Sequence, residues 1–347
     1  MPADGPPATL TPLETAHALA EDCVVRWWQV TSFVELAGPD AVTLLDGLCT
    51  QAVERIAPGT SRLGLLLDAK AHIIAPVVIH RASDAPWTDP RGQAIVDTAP
   101  RLLLETLPEL VEPLRSHLTK YRLRARATIE PVELATLAVI GPAAPTLPGD
   151  AGGAWFDLVG PGPMTHGWIG DPAMAHALLS RLTGELELGL ADPATLEALR
   201  ITSGVVSLHD LLAGRMPAEV GGMDDAVALD AGCYLGQEPV ARLHYRGHAN
   251  RTLRQLTAPQ PIAPVSGDED ALELRRADDD GSGRVVGRLT TWSELPDGTG
   301  VAFAMLRREI RSTDDLAIAG TSTSLRALEP LAADGLHASD AATPTGG

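Results

Sequence analysis

At 347 residues, the chain is longer than one typical domain, so its length predicts two or three packed units. Its formal net charge of −18 disfavours a general role in binding nucleic acid or anionic membranes, because like charges repel. No apolar run is long enough to cross a bilayer, and the first residues lack the basic start and apolar core of a secretory signal. We therefore expect a cytoplasmic protein without a nucleic-acid or membrane partner.

The three cysteines of the sequence are widely separated and form no CxxC pair. Such a sparse set argues against a disulfide framework. It also argues against an iron–sulfur cluster or structural zinc held by this chain alone, since either usually needs several close ligands. We therefore expect the chain alone to bind no metal. Cys23 and Cys49 lie among apolar neighbours, which is typical of buried thiols, whereas Cys233 lies in a different setting, between Gly232 and Tyr234.

The N-terminal part of the chain predicts a disordered end, a helix, a strand and a second helix. Residues 1–10 are rich in Pro, Ala and Gly, which indicates disorder. The sequence TPLE at 11–14 is typical of a capping box with proline at the first helical position, and it predicts a helix to about Asp22. Residues 24–36 predict an extended segment, and Gly-Pro-Asp at 38–40 opens the second helix.

The next segments predict a β-hairpin followed by a helix. The apolar runs at 63–67 and 73–79 have β character, and the residues between them, 68–72, predict a turn. Residues 100–118 predict a helix that contains two prolines.

Residues 121–129 alternate strictly between apolar and polar side chains, which predicts a half-buried strand. Arg122, Arg124 and Arg126 share the polar face of this predicted strand. Two interpretations stay open. The arginines either form an ordinary solvated face, or they form an anion-facing wall that suits a ligand with carboxylates.

The second half of the chain predicts helices and then a β-rich end. Residues 134–140 predict a strand, 141–153 a Gly/Pro/Ala-rich link, and 172–184 and 192–200 two helices. After residue 250 the chain changes to short β runs separated by turns, which is typical of a small closed β unit. These runs are 253–256, 271–274, 285–291, 300–306 and 322–328.

One segment, LDAGCYLGQEPVAR at 229–242, combines residues that suggest chemistry. Gly232 and Gly236 let the backbone turn sharply and approach a ligand closely, and Pro239 is tolerated in a first helical turn. Cys233 would then lie just before a helix N-terminus, where the helix dipole favours the nucleophilic thiolate. The alternative is that the glycines only form turns and that Cys233 is a small buried residue. Positive side chains nearby are Arg242, His244 and Arg246.

This segment resembles the signature of the YgfZ family, which is related to the aminomethyltransferase (T-protein) of the glycine cleavage system. The matching pattern is Gly-Cys-Tyr-x-Gly-Gln-Glu at 232–238, followed by Val-Ala-Arg at 240–242 and Tyr-Arg-Gly at 245–247. Further resemblance covers most of the chain between its two ends. It lies in LAGPDA at 36–41, LCTQ at 48–51, LLDAK at 66–70, RITSG at 200–204, MPAE at 216–219 and the arginines at 307–308.

The resemblance implies an α+β fold, three-lobed and ring-like, with a central folate-binding channel and a C-terminal β-barrel. The domains that we expect from it are a discontinuous first domain, a second domain, the barrel and two disordered ends. Their boundaries are, in that order, 11–60 with 135–240, 61–134, 241–330, and 1–10 with 331–347.

The resemblance also implies a folate-binding accessory protein that supports the assembly or repair of iron–sulfur enzymes, with Cys233 required. Its ligand would be a tetrahydrofolate, and its partners would be iron–sulfur enzymes or their assembly factors. The motif residues that would shape the site are Gly232, Tyr234, Gly236, Gln237, Glu238 and Arg242. The side chains that would contact the folate are Arg122, Arg124, Arg126, Arg246, Arg251 and Thr202.

Three departures from the family pattern bear on the activity. Ala231 replaces a lysine, which removes a cation next to the signature cysteine. Thr202 stands where an Arg-x-Glu-x-Gly element carries a glutamate for a pterin-type ring. Ala75 and Pro76 stand where the aminomethyltransferase has two aspartates, so we expect no aminomethyl transfer. The alternatives are a folate-dependent one-carbon transferase and a non-catalytic scaffold that has lost its ligand.

Overall fold

The computed structural model contains one large, mostly antiparallel sheet flanked by helices, and a separate closed β-barrel. The structure describes residues 8–82, 87–88, 94–95, 99–143, 153–157, 165–211, 215–220, 226–230, 232–247, 249–263, 272–277, 283–318 and 324–327. The α-helices are α1 (Pro12–Glu21), α2 (Ala41–Asp46), α3 (Val111–Arg122), α4 (Pro172–Gly184), α5 (Pro193–Thr202), α6 (Pro217–Val220) and α7 (Gln237–Arg246). The strands are β1 (Val24–Ala37), β2 (Ser61–Leu67), β3 (Ile73–Arg81), β4 (Trp87–Thr88), β5 (Ala94–Ile95), β6 (Arg101–Thr106), β7 (Thr128–Ile140), β8 (Ala154–Asp157), β9 (Thr165–Gly170), β10 (Gly189–Leu190), β11 (Arg251–Ala258), β12 (Glu273–Arg276), β13 (Gly287–Glu294), β14 (Gly300–Arg307), β15 (Asp315–Ile318) and β16 (Ser324–Ala327).

The large sheet has the strand order β2-β3-β6-β1-β7-β9-β8, and β10 pairs in parallel with the start of β1. The long strand β1 lies at its centre, antiparallel to β6 on one side and to β7 on the other. β2 and β3 form an antiparallel hairpin at one edge, as the two apolar runs predict. The predictions of an extended segment at 24–36 and of strands at 63–67 and 73–79 are therefore confirmed.

Helices cover both faces of the sheet. Alternate residues of one strand point to opposite faces, so neighbouring residues pack against different helices. Val24 joins the core cluster that contains Leu196 of α5, whereas Val25 joins the cluster that contains Leu178 of α4. α4 and α5 therefore lie on opposite faces of the sheet. α2 and α3 cover another part through a large cluster that includes Leu45 and Leu118.

The predicted N-terminal helix is confirmed together with its cap. The Thr11 hydroxyl accepts a hydrogen bond from the backbone N–H of Glu14, and the Glu14 carboxylate accepts one from the backbone N–H of Thr11. This reciprocal pair satisfies two N–H groups that the first helical turn leaves without partners. Of the predicted disordered ends, 1–7 and 331–347 lie outside the described residues, and Thr9 bridges to Leu190.

The C-terminal β unit is a closed barrel with the strand order β11-β14-β13-β12-β15-β16, which confirms the predicted architecture. All of its pairs are antiparallel, and β16 pairs back onto β11 to close it. Its interior is filled by a separate apolar cluster that includes Leu256, Leu306 and Leu316. The sequence did not predict β15, which is only four residues long.

The predicted helix at 100–118 is wrong in its first part. Residues 101–106 form β6, Pro108–Leu110 form one turn of 3₁₀ helix, and α3 begins only at Val111. The leucines of β6 are completely buried between β1 and β3. A central strand that is buried on both faces carries a continuous apolar run, which periodicity alone does not distinguish from a buried helix.

The predicted strand at 121–129 is also wrong. Tyr121 and Arg122 are the last residues of α3, and β7 begins only at Thr128. The break comes at Leu123, whose φ of 42° turns the chain out of the helix. The alternating pattern therefore runs across a helix end and a loop, so Arg122, Arg124 and Arg126 do not share a strand face.

A buried ion-pair network connects α5 to the barrel. Arg200 donates to Asp210 at 3.0 Å and to the hydroxyl of Thr291 in β13 at 3.0 Å, and the Asp210 carboxylate also accepts from Thr290 at 2.6 Å. Asp210 is completely buried, so these bonds replace the water that a buried carboxylate loses. The first residue of the Arg-x-Thr-x-Gly element is therefore a structural link.

The expected domain boundaries stay a prediction. The large sheet takes strands from residues 11–60, from 61–134 and from 135–240, whereas every barrel strand lies within 241–330. No helix in the described part of the chain is both long and apolar enough to cross a membrane.

Candidate functional site

The signature segment forms a tight loop that leads into α7. Gly236 has a φ of 84°, in the left-handed region that favours glycine, and α7 begins at the next residue. A Cβ atom at Gly236 would lie 2.6 Å from the carbonyl oxygen of Asp68, closer than such atoms can approach. Glycine is therefore required here for two reasons, the backbone angle and the close approach to the β2–β3 turn.

The turn that Gly236 contacts is built around Asp68. One oxygen of the Asp68 carboxylate accepts the backbone N–H of Lys70 at 2.8 Å and that of His72 at 2.9 Å, and the other lies 3.2 Å from Nδ1 of His72. Burial alone would raise the pKa of Asp68, but the hydrogen bonds from His72 and Lys70 outweigh it and hold the pKa below its usual value. The LLDAK segment therefore forms a rigid support for the signature loop.

A third segment, LCTQ at 48–51, holds the chain just before the signature. The backbone of Thr50 accepts the N–H of Ala228 at 2.8 Å, and its hydroxyl donates to the carbonyl of Ala226 at 2.6 Å. The N–H of Leu235 donates to the carbonyl of Gly47 at 3.2 Å. The fold thus brings together three segments that are distant in sequence and that carry the family resemblance.

Cys233 is the exposed thiol of the three. Cys23 and Cys49 are buried, as the sequence predicts. Burial raises the pKa of Cys23 to about 11 and that of Cys49 to about 12. Because the thiolate is the nucleophile, Cys233 is the cysteine that the fold makes available for reaction.

The charges next to Cys233 are mixed. Arg55 donates to the Asp230 carboxylate at 2.6 Å and to the Asp230 carbonyl at 3.3 Å, and this hydrogen bond lowers the pKa of Asp230. A carboxylate oxygen of Asp46 would lie 3.7 Å from a Cβ atom placed on Gly232. Two aspartates and one arginine therefore lie beside the loop, in addition to the positive side chains that the sequence places nearby.

A cavity of about 900 Å³ opens beside the signature loop and α7. This volume lies within the range of small-molecule binding sites, about 300–1,000 Å³. The lining combines apolar walls with a few polar side chains from the motif. The lining residues are Ala69, Met216, Tyr234, Leu235, Gly236, Gln237, Glu238, Pro239, Arg242, Leu243 and Gly247.

Tyr234 is the buried polar residue of this lining. It is only 6% exposed, and its hydroxyl has no hydrogen-bond partner among the described residues. Burial, and to a smaller extent the nearby Cys49, raises the pKa of Tyr234 to about 12, so the hydroxyl keeps its proton. A buried donor without a partner is costly, and because the hydroxyl oxygen is itself shielded from solvent, Tyr234 lines the cavity with its other atoms.

Five motif residues line the cavity: Tyr234, Gly236, Gln237, Glu238 and Arg242. Gln237 also donates to the carbonyl of Gly232 at 3.4 Å, which closes the loop on itself. Gly232 and Cys233 lie just before the lining residues in sequence and are exposed. The geometry thus assembles most of the predicted motif around one cavity.

The predicted folate contacts are more scattered. Arg126 pairs with Asp40 at 3.2 Å, Arg122 donates to the carbonyl of Ala127 at 3.4 Å, and Arg124 is exposed. None of these three arginines lines the described cavity. Their role toward a ligand stays a prediction.

The remaining predicted contacts lie on other elements. Thr202 ends α5, where its hydroxyl donates to the carbonyl of Ala198 and its own carbonyl accepts from Gln255 of β11. Arg251 is the first residue of β11. The side chain of Arg246 lies outside the described residues. Contact of these three residues with a folate also stays a prediction.

Sequence reasoning overlooked two features of the site. The Asp68–His72 pair lies within a segment already singled out, and an aspartate at the start of a turn, where it can accept the backbone N–H two residues on, is a recognisable signal. Arg55, which clamps Asp230, gives no local signal because the two residues are far apart in sequence.

Comparisons with known proteins identify similar chains. No family model matches the chain. It is 29% identical to the tRNA-modifying protein YgfZ of Sodalis glossinidius over 165 residues, which span 47% of this chain and 48% of that protein. It is 24% identical to the tRNA-modifying protein YgfZ of Escherichia coli over 314 residues, 85% of this chain and 89% of that protein. The protein of the same name from Klebsiella pneumoniae is 23% identical, with coverage of 85% and 88%.

A solved structure shows the same fold. The glycine cleavage system aminomethyltransferase T from Bartonella henselae superposes with a TM-score of 0.70, over 92% of this chain and 89% of that chain. Sequence identity over this superposition is 17%. The expected α+β aminomethyltransferase fold with a C-terminal β-barrel is therefore confirmed.

Proposed function

We propose that the chain, which is similar to YgfZ proteins in sequence and to aminomethyltransferase T in fold, binds a folate and supports iron–sulfur enzymes as an accessory protein. Cys233 is its reactive group in this proposal. The observation that carries it is the arrangement of the signature, which forms one wall of a 900 Å³ cavity and presents an exposed thiol beside that wall.

The residues of the cavity fit a tetrahydrofolate. A folate combines an aromatic ring, which has hydrogen-bond donors and acceptors, with a carboxylate-bearing tail, so it needs apolar walls and a few polar groups. Met216, Leu243 and the buried Tyr234 supply apolar wall. Glu238 supplies a carboxylate for ring N–H groups, and Arg242 supplies a cation for the tail. When bound, the folate would supply a one-carbon carrier or a reductant.

Glu238 can replace the glutamate that the family pattern has at the position of Thr202. The side chain of Thr202 bonds to its own helix and does not line the described cavity, whereas Glu238 does. In this proposal Glu238 takes over the recognition of the ring edge. Thr202 then needs no contact with the ligand.

A folate-dependent one-carbon transferase is the alternative from a different class. Ala75 is completely buried in β3, and the carbonyl of Pro76 accepts the Thr106 hydroxyl at 2.8 Å. Neither side chain provides a carboxylate that could act as a base or stabilise an iminium ion. Aminomethyl transfer is therefore not part of the proposed function.

The name that the similar YgfZ proteins share, tRNA-modifying protein, provides a second candidate. On this chain it would mean a part in tRNA modification. The net charge of −18 opposes direct contact with a phosphate backbone, so the chain would act through a partner enzyme. Fluorescence anisotropy with labelled tRNA at low salt tests the point, and tight binding would favour direct action on tRNA.

Calorimetry with 5-formyltetrahydrofolate, a stable reduced folate, tests the folate site. The variant Glu238→Gln keeps the side-chain shape and removes the charge, so we expect binding about tenfold weaker, because a charge-assisted hydrogen bond contributes roughly 1.5–3 kcal/mol. Glu109→Gln is the matched control, since Glu109 is exposed on the 3₁₀ turn before α3 and away from the cavity lining. A wild type that binds no folate would favour the scaffold interpretation. Equal binding by wild type and Glu238→Gln would show that Glu238 is not part of the folate site.

The role of the thiol needs a separate experiment. In cells that lack the chain, the activity of a [4Fe–4S] enzyme should recover with wild-type protein and stay low with Cys233→Ser at equal abundance. Recovery with Cys233→Ser would remove the cysteine from the proposal and leave the folate site unaffected.

A further inference from the structure

One stretch of this acidic chain contains no acidic residue. The whole chain has 45 Asp and Glu residues against 27 Lys and Arg residues. Residues 239–267, which include most of α7 and all of β11, contain four arginines and neither Asp nor Glu. The local charge of this stretch is therefore opposite in sign to that of the molecule.

The barrel brings further arginines to the start of β11. In the antiparallel pair of β11 and β14, Arg251 lies directly opposite Arg307. The next residue, Arg308, donates its backbone N–H to the carbonyl of Asn250 at 3.0 Å. Like charges directly opposite each other destabilise a sheet, so this arrangement is unfavourable without an anion. Arg251, Arg307 and Arg308 are called the arginine cluster below.

No carboxylate neutralises the arginine cluster within the described part of the chain. The side chain of Arg307 donates to the carbonyl of Val285 at 3.2 Å, and the neighbouring Glu309 lies 3.8 Å from Arg284 instead. Arg308 is exposed, and Arg251 and Arg307 are partly exposed. Other arginines of the barrel do have acidic partners, namely Arg275 with Glu273, Arg276 with Asp314 and Arg326 with Asp315. The cluster therefore presents uncompensated positive charge to solvent.

The cluster lies at the border between the barrel and the rest of the fold. Arg251, Leu253 and Gln255 share one face of β11, because alternate residues of a strand point the same way. On this face Gln255 donates to the carbonyl of Thr202 in α5 at 3.0 Å, and Leu253 is completely buried. Arg251 follows about 7 Å further along the strand, where the face emerges from the contact.

The same border carries the signature helix. α6 contacts both β11 and α7, and only the four residues 247–250 separate the end of α7 from Arg251. A partner protein that contacts the arginine cluster is therefore close to the element that follows the signature cysteine.

We propose that the arginine cluster is a docking surface for an acidic segment of a partner protein. This inference rests on the proposed accessory role, because a protein that supports other enzymes has to contact them. A guanidinium group binds a carboxylate through two parallel hydrogen bonds, and arginine is enriched in protein interfaces. A short acidic segment covers only the cluster, whereas a long polyanion such as tRNA would also meet the negative charge of the rest of the molecule.

Fluorescence anisotropy with a labelled, α-linked oligoglutamate peptide tests the surface. We expect wild-type binding that weakens at high salt, where exposed charges are screened. Arg251→Glu/Arg308→Glu should bind the peptide about tenfold more weakly, because it replaces two attractions by two repulsions. Arg308→Glu alone changes one exposed side chain and should show a smaller loss in the same direction, so the test does not depend on the folding of the double variant.

Arg62→Glu/Arg124→Glu is the matched control. It changes the net charge by the same amount at two exposed positions outside the barrel, so it should bind the peptide as the wild type does. An equal loss in both double variants, or a wild type that does not bind the peptide, would overturn the docking surface. An oligouridylate of the same charge that binds more tightly than the peptide would also overturn it, in favour of a nucleic acid.

Calorimetry of the same variants with 5-formyltetrahydrofolate separates this inference from the proposed function. We expect Arg251→Glu/Arg308→Glu to bind the folate as the wild type does. Loss of folate binding would make Arg251 a folate contact and remove it from the docking surface. A wild type that binds the peptide but no folate would remove the folate function and support the docking surface.

Discussion

Side chains with the same chemistry differ in this protein because their surroundings differ. The three thiols show this most clearly, since Cys23 and Cys49 are buried with raised pKa values and Cys233 is exposed. Burial likewise raises the pKa of Tyr234, which lines the cavity, so its hydroxyl stays protonated. At the scale of single residues, burial decides which groups can react and which can bind.

A brief iodoacetamide pulse on the folded protein should label Cys233 well before the other two cysteines. Alkylation needs an accessible thiolate. Burial makes Cys23 and Cys49 inaccessible and raises the pKa of both thiols, so they stay protonated. Mass spectrometry of the peptides measures the order, and a denatured sample is the control in which all three react. Equal labelling in the folded protein would contradict the account.

The stability of the protein should depend on pH through His117. Burial first, and then the charge of Lys120, lowers the pKa of His117 below its usual 6.5, so the folded state favours the neutral ring. Its folded pKa is below its unfolded pKa, so this contribution to stability is present above pH 6.5 and is lost as the pH falls toward the folded pKa. Urea unfolding of wild type and of His117→Phe, at pH 7.5 and 5.5, should show a smaller decrease for the variant. An identical decrease in both proteins would exclude His117 as the source.

The position of the signature loop depends on its contacts with segments that are distant in sequence. The signature loop, the β2–β3 hairpin and the segment at 48–51 hold one another through three contacts: Gly236 against the Asp68 carbonyl, the Ala228 N–H to the Thr50 carbonyl, and the Leu65 N–H to the Thr50 hydroxyl. None of these contacts is local in sequence. The position of the signature cysteine is therefore a property of three elements together.

Gly236→Ala should destabilise the protein more than Gly298→Ala. Both glycines have a positive φ, 84° and 86°, so both substitutions carry a similar backbone cost of about 1–2 kcal/mol. Only at Gly236 would the added Cβ meet another backbone, because nothing lies within 4 Å at Gly298. Urea unfolding of the two variants measures the difference, which isolates the contact with Asp68. Equal losses of stability would show that the turn does not press against the loop.

Sequence alone predicted the elements that have local signals. The capping box at Thr11 gave the first helix, and short β runs between turns gave the barrel. It failed where burial overrides periodicity, as in β6, and where Leu123 breaks an apparently regular alternation. It identified the motif of the site, but not its supports, because the contact of Gly236 with Asp68 depends on the tertiary fold.

The molecule as a whole has the fold of an aminomethyltransferase. The superposition on aminomethyltransferase T covers 92% of the chain, yet Ala75 and Pro76 occupy the positions expected to hold aspartates. We therefore expect the aminomethyltransferase fold without aminomethyl transfer.

The purified protein should not release ammonia from an aminomethylated carrier protein in the presence of tetrahydrofolate. The reason is the missing carboxylates at positions 75 and 76, which leave no group there to stabilise the reacting carbon. A coupled ammonia assay measures this, with an active aminomethyltransferase as the positive control. Turnover that scales with the concentration of the protein would restore the transferase alternative.

A crystal structure of the protein with bound 5-formyltetrahydrofolate tests the central claim most directly. The account predicts ligand density in the signature cavity, with the ring in contact with Tyr234 and Glu238 and the carboxylate-bearing tail near Arg242. Density at another place, or an empty cavity at a saturating ligand concentration, would contradict it.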